Sequence, residues 1–329
     1  MAVGPCGFVP VLHAATLGRP DEVDTLTAAE AVAGALGVLG FATEIIGLAL
    51  DLAGLEDLPS RRPLLVFNLV DAVNGDGRLA PFVPARLDAL GLCYTGAGTS
   101  AWLKTLSKIG TKLKLAHAGL PTPDWSEDGT GLDPDAHIIV KAVWEHGSLG
   151  LDEASVIRGA EAGQAIAARN LRWKTEHFAE VFIEGREFNL ALLEVPSGVE
   201  VLPMAEIVFD GFDRGAPKIV GYDAKWAPDS PAYLGTPRRF GVEREAPALA
   251  AKLSELAQAC WVLFGLTGYA RVDFRLDRTG APQILEVNVN PCLSPDAGFA
   301  AAAEVAGLSY TDMIGRIVEI SVGGLKATA

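Results

Sequence analysis

Along the first hundred residues the apolar positions fall into strand-length runs at 8–12, 43–48 and 64–70, interrupted by one helix-length run at 28–39. Thr27 and Glu30 stand in capping-box spacing around the start of that longer run, and Gly40 follows it where a helix ends on a left-handed residue. With a further helix near 83–90, the order β-α-β-β predicts a small α/β lobe over residues 1–99. Residues 100–117 keep a helical period until Gly119-Leu120-Pro121 ends it. Strand-like runs then dominate at 137–143, 178–183, 187–195, 199–208 and 218–226, around one helix at about 156–170. Turn residues such as Pro196-Ser197-Gly198 separate neighbouring runs, which predicts antiparallel pairing. Helices return at 247–264 and 311–322.

Between those last helices, residues 269–290 read as a hairpin whose turn is Arg278-Thr279-Gly280-Ala281. With Thr279 and Gly280 at the tip, Asp273 faces Glu286 and Arg271 faces Asn288 on one side of the ribbon. The other side pairs Val272 with Val287 and Phe274 with Leu285, as a strand packed on a core requires.

At 329 residues, half of them apolar, the chain is long enough for a large core and two or three domains. Its net charge of −14 excludes broad binding to nucleic acid or anionic membrane, both of which need a basic surface. Anionic ligands must then be held by a few local cations. Cys6, Cys93, Cys260 and Cys292 have no metal or redox spacing and read as reduced thiols. The most apolar stretch, 31–50, is interrupted by Glu44 and four glycines, so no membrane span is expected. No signal-peptide pattern opens the chain, and a cytoplasmic protein is expected.

Two carboxylates opposed across a ribbon, with Cβ atoms about 5 Å apart, repel unless a cation lies between them. Magnesium suits Asp273 and Glu286, with the amide oxygen of Asn288 completing the set. The alternative is a solvated charge ladder, because Arg271, Asp273, Arg275 and Asp277 alternate in sign. A different chemistry is offered by Gly96-Ala97-Gly98-Thr99-Ser100-Ala101, which satisfies the dinucleotide fingerprint and would make the chain an NAD-dependent dehydrogenase. Its place near residue 96, away from the first strand, argues against that.

The run Glu286-Val287-Asn288-Val289-Asn290-Pro291 followed by Cys292-Leu293-Ser294-Pro295-Asp296-Ala297-Gly298-Phe299 resembles the D-alanine–D-alanine ligase branch of the ATP-grasp superfamily. The resemblance includes Val66-Phe67-Asn68-Leu69, Asn74-Gly75-Asp76-Gly77, Tyr94-Thr95-Gly96, Gly119-Leu120-Pro121-Thr122-Pro123 and Glu184-Gly185-Arg186-Glu187-Phe188. It implies an α/β (α+β) ATP-grasp fold with a Rossmann-like lobe at 1–99, a central lobe at 100–183 and a C-terminal lobe at 184–329. It also implies ATP and Mg2+, or Mn2+ in its place, with small-molecule carboxylate and amine substrates, and it is compatible with a homodimer. By this resemblance Lys108 and Lys141 reach the phosphates, and Lys112 and Lys114 are left on a solvated helix face. The loop Glu145-His146-Gly147-Ser148-Leu149-Gly150 covers the phosphates through Gly147 and Ser148, with Ser148 also close to the chemistry. Glu180, Val181, Phe182 and Ile183 form the adenine hinge and Glu187 takes the ribose. Lys225 contacts a phosphate or acyl phosphate, and Asp273, Glu286 and Asn288 hold the metal. Arg271 stabilises the oxyanion formed when the amine attacks.

The departures from the family concern the substrate. Val11-Leu12-His13-Ala14-Ala15-Thr16-Leu17-Gly18 lacks the glycine-rich loop with its serine and glutamate, Trp226 stands where tyrosine is usual, and Ala297 lies near the place of a substrate-binding serine. The expectation is therefore a carboxylate–amine ligase for amino-acid-type substrates other than two D-alanines. A genuine D-alanine–D-alanine ligase, a kinase-like phosphoryl transfer and a non-catalytic nucleotide-binding module are the alternatives.

Overall fold

The protein is described by a computed structural model over residues 7–15, 18, 20–145, 147–148, 150–213 and 215–328. Cys6, Thr16, Leu17, His146 and Leu149, all singled out above, lie outside these described residues.

The first lobe is a parallel sheet in which Phe8–Ala14 lies between Ala42–Leu48 and Phe67–Asn68. Its helix spans Pro20–Val38, about two turns more than the apolar run predicts at its start. Thr27 therefore does not cap it: its hydroxyl donates to the Val23 carbonyl at 3.2 Å, as a mid-helix threonine does. The start is set instead by Pro20, whose fixed φ suits the first helical position. Ala29, Val32 and Leu36 bury the inner face of this helix against Val9, Val11 and Phe67.

The helical run at 100–117 is two helices, Thr99–Thr105 and Lys108–His117. Ser107 turns extended between them, and its Oγ accepts the Gly110 N–H at 3.1 Å, which starts the second helix. Next comes a four-stranded antiparallel sheet in the order Trp125–Ser126, His177–Val181, His137–Ala142, Val156–Arg158. The helix expected at about 156–170 thus begins later, at Ala162, because the β-branched pair Val156-Ile157 joins the sheet edge.

The largest sheet runs Arg238–Arg239, Ala205–Ile207, Glu187–Val195, Tyr269–Leu276, Pro282–Asn288, with Gly198–Val201 also paired to Glu187–Val195. The expected strand at 199–208 is split by this arrangement. Residues 218–226 form no strand and end in the short helix Tyr222–Trp226, their apolar Ile219, Val220 and Ala224 lining a cavity instead of a sheet. Pro247–Phe264 is a helix ended by Gly265 at φ 65°. Gly298–Val305 is a helix that the pattern missed, since its alanine run gives no contrast between faces, and Tyr310–Thr328 follows.

The hairpin pairs Arg271 with Asn288, Val272 with Val287 and Asp273 with Glu286 as its alternation predicts. Phe274 then pairs with Ile284 and not with Leu285, because a bulge leaves Leu285 as the extra residue. One face of this sheet, with Phe188, Leu190, Val272 and Val287, packs on Pro247–Phe264. The opposite face carries Leu193 and Tyr269, buried with the first lobe and the last two helices. Arg271 and Asp273 continue that second face beyond Tyr269, so the covering lobe stops where the charged side chains begin. Among the described residues no helix is long and apolar enough to cross a membrane.

Candidate active site

Where the second face is left uncovered, a cavity of about 300 Å³ opens between the two antiparallel sheets and the first lobe. The hairpin supplies Arg271, Asp273, Glu286 and Asn288 to its lining, and the helix Tyr222–Trp226 supplies Lys225. Lys108, Lys141, Gly147 and Ser148 line it from the central lobe, together with residues 180–183 and Glu187. Every described residue expected to hold nucleotide or metal, or to catalyse, thus reaches one space, although the chain between them is up to 180 residues long.

At the hairpin, Arg271 donates from Nε and Nη2 to the two oxygens of Asp273 at 2.7 and 2.8 Å, and Asn189 Nδ2 donates to Asp273 Oδ1 at 2.9 Å. Burial works against the Arg271 charge, but Asp273 raises its affinity for the proton and keeps it cationic. The solvated-ladder alternative fails here. Asp273 is 8% exposed and Arg275 4%, and Arg275 donates to Glu187 Oε2 at 2.8 Å and to the Ile183 and Lys218 carbonyls. Only the turn residue Asp277 behaves as a surface charge, accepting from the Thr279 and Ala281 N–H groups. Among the described residues no three His, Cys, Asp or Glu side chains form a self-sufficient metal cage. Two opposed carboxylates and an amide oxygen nevertheless fit a hard divalent cation that takes its remaining ligands from substrate oxygens. Burial lowers the Lys225 pKa, opposed by Glu286.

Lys108 opens the helix Lys108–His117. The residue is 8% exposed, and its ammonium is buried with no hydrogen-bond partner among the described residues, the Glu145 carboxylate lying 3.9 Å away. A buried cation so placed fits an anionic ligand in the cavity. Lys141 Nζ lies 2.5 Å from Glu180 Oε1, and Lys112 Nζ lies 2.6 Å from Glu180 Oε2. Lys112 is therefore not on a solvated face: it is 1% exposed, because the helix turns it under the sheet and not outward. Burial alone pushes the Glu180 carboxyl up, but the two ammonium groups bring it down to about 2. The Glu180 side chain is thus committed to the two lysines.

A family profile described as D-ala D-ala ligase C-terminus matches residues 136–319. A D-alanine–D-alanine ligase of Moorella thermoacetica is 30% identical over 91% of this chain and 94% of its own length. The chain belongs to the D-alanine–D-alanine ligase family. It is an ATP-dependent ligase of the ATP-grasp type. An uncharacterized protein, y4sG, of Sinorhizobium fredii is 33% identical over 78% of the chain and 74% of its own. The D-alanine–D-alanine ligase of Bacillus anthracis complexed with ATP superposes with a TM-score of 0.72 at 18% identity over all of both chains, a likeness of fold. Enzymes of this family use ATP and Mg2+.

Within this family member the dinucleotide fingerprint has a packing role. Gly96 sits at φ 85°, and a Cβ on Gly268 would come within 2.8 Å of its Cα. Ala97 and Ala101 are core residues, and none of the motif lines the cavity. The loop at Gly147 and Ser148 is pinned: the Gly147 carbonyl accepts the Trp226 Nε1 proton at 2.8 Å, and Ser148 donates to the Val220 carbonyl at 3.2 Å. The sequence missed one group. Asp24, on the helix of the first lobe, lines the cavity and accepts from Ser294 Oγ and Cys292 Sγ, both at 2.9 Å. Burial, reinforced by Asp24, pushes the Cys292 thiol up to about 12, so it remains a donor. No local signal marks Asp24, because its partners lie about 270 residues away.

Proposed function

We propose that this ligase activates a carboxylate as an acyl phosphate at the expense of ATP and joins it to an amine, and that its substrates are amino acids or short peptides other than two D-alanines. The observation carrying the reading is the opposed pair Asp273 and Glu286 in a cavity that also holds Arg271, Lys108, Lys141 and Lys225. Magnesium held by Asp273, Glu286 and Asn288 would draw charge from the transferring phosphoryl group. Lys108 and Lys141 bind the phosphates from the central lobe, and the loop at Gly147 and Ser148 closes over them. Glu187 faces the ribose. Lys225 orients the acyl phosphate; burial lowers its pKa, and Glu286 opposes that shift. Arg271 is held in one orientation by both oxygens of Asp273, so its guanidinium meets the developing oxyanion without rearranging, worth about 3 kcal/mol for one such donor. Residues 1–99, 100–183 and 184–329 act as three lobes around this cavity.

The substrate assignment rests on this chain's own lining. Ala297 lines the cavity without a hydroxyl, the Trp226 indole is spent on the Gly147 carbonyl, and Asp24 offers a carboxylate from the first lobe. A screen of amino-acid pairs for ADP release tests it, with an ¹⁸O-labelled acid in the active pair. One label is expected in the released phosphate and an amide in the mass spectrum, with D-alanine alone a poor substrate. Efficient D-alanyl-D-alanine synthesis would overturn the substrate claim, and a stable phosphorylated product without amide would overturn the ligation itself.

A further inference from the structure

Lys112 does not line the cavity, yet it is among the most completely buried large side chains of the protein. Its ammonium is fixed by Glu180 Oε2 at 2.6 Å, Thr122 Oγ1 at 2.9 Å and the Pro123 carbonyl at 3.3 Å. Thr122 in turn donates to the Ile284 carbonyl at 2.9 Å, on the hairpin beside the bulge. On the cavity side of Glu180 stands Lys141, whose Nζ lies 2.5 Å from Oε1. Two ammonium groups and one carboxylate are thus enclosed together, with a formal charge of +1.

The position of that charge matters. If Glu180 had Lys141 as its sole partner, the pair would be neutral and its field in the cavity would be that of a weak dipole. Lys112 takes up one oxygen of Glu180 from behind. Glu180 can then hold Lys141 in a fixed orientation without cancelling it.

We propose that Lys112 is a positioning residue for the phosphates of the nucleotide, balancing Glu180 from beneath so that the Lys112–Glu180–Lys141 cluster presents a net positive charge to the cavity through Lys141. The inference rests on the nucleotide reading given above. It differs from a purely structural role, in which Lys112 ties the helix Lys108–His117 to the sheet, because only the electrostatic role depends on the charge of the ligand.

The test is calorimetric binding of ADP in magnesium buffer, and of adenosine, to the intact chain. Lys112→Met is expected to weaken ADP by about tenfold or more and adenosine by less than about twofold, since only the phosphates feel the charge. Lys112→Arg keeps the charge and should stay close to wild type. The double variant Lys112→Met with Glu180→Gln removes one charge of each sign, restores +1, and is expected to bring ADP affinity back to within about threefold of wild type. It also leaves no buried carboxylate short of a partner, so it decides the matter if Lys112→Met alone does not fold. A folded double variant that binds ADP no better than Lys112→Met overturns the proposal. So does Lys112→Met with wild-type ADP affinity, or equal losses for ADP and adenosine. A wild-type protein that binds no ADP overturns the nucleotide reading itself, and this inference with it.

Discussion

Asp273 and Glu286 face each other across the hairpin, but they are not equivalent. Asp273 is held by both donors of Arg271 and by Asn189, so replacing it with asparagine leaves a buried guanidinium short of its partner. Glu286→Gln removes one of two like charges, but also the carboxylate that favours the charges of buried Lys225 and Arg271. Both variants are expected to lose at least about a hundredfold in ADP release, since each removes a magnesium ligand. Asp273→Asn should also lower the melting temperature. Full activity in both would mean that the pair holds no metal. At this scale the alternation of the hairpin made the facing of Asp273 and Glu286 legible. The fates of Lys112 and Arg275 were not, because a lysine or arginine codon reads the same on a solvated face as inside an ion cluster.

The strand Tyr269–Leu276 ends where the chain that follows the hinge begins the strand Glu187–Val195, and Gly185 stands at that junction. A Cβ there would lie 1.8 Å from the Leu276 carbonyl oxygen, a backbone atom fixed by the sheet. Gly185→Ala is therefore expected to cost roughly 1–3 kcal/mol in denaturant unfolding and, by displacing residues 180–183, to raise the KM for ATP more than it lowers kcat. An unchanged KM would mean that the hinge does not contact the nucleotide. Among the elements, Pro247–Phe264 could be read to the residue because a proline starts it and a glycine stops it, and Glu187–Val195 because the turn Pro196-Ser197-Gly198 ends it. The break at Ser107 could not, since apolar spacing continues across it.

Over the whole molecule, the first lobe and the last helices share one core, in which Val9, Leu36 and Phe67 meet Tyr269, Phe299 and Ile314. The central sheet has a small core of its own around Ile138, Val140 and Ile166. A nucleotide bound between them stabilises the folded chain by mass action, about 2.7 kcal/mol at a hundred times its Kd. Saturating Mg-ATP is accordingly expected to raise the melting temperature by several degrees, with NAD giving no shift. A shift with NAD and none with Mg-ATP would reverse the assignment of ligand.

The sequence by itself determined the hairpin register as far as Asp273 and Glu286, the main strands and the long helix before the hairpin, and the family through its ordered motifs. These follow from local periodicity and turn chemistry, which neighbours along the chain are enough to specify. Tertiary structure alone decided the bulge at Leu285, the break at Ser107, the burial of Lys112 between Glu180 and Thr122, and the meeting of Asp24 with Cys292 and Ser294. The reason is physical: the state of a charged or polar side chain depends on which distant elements exclude water around it, and that is settled only when the lobes pack.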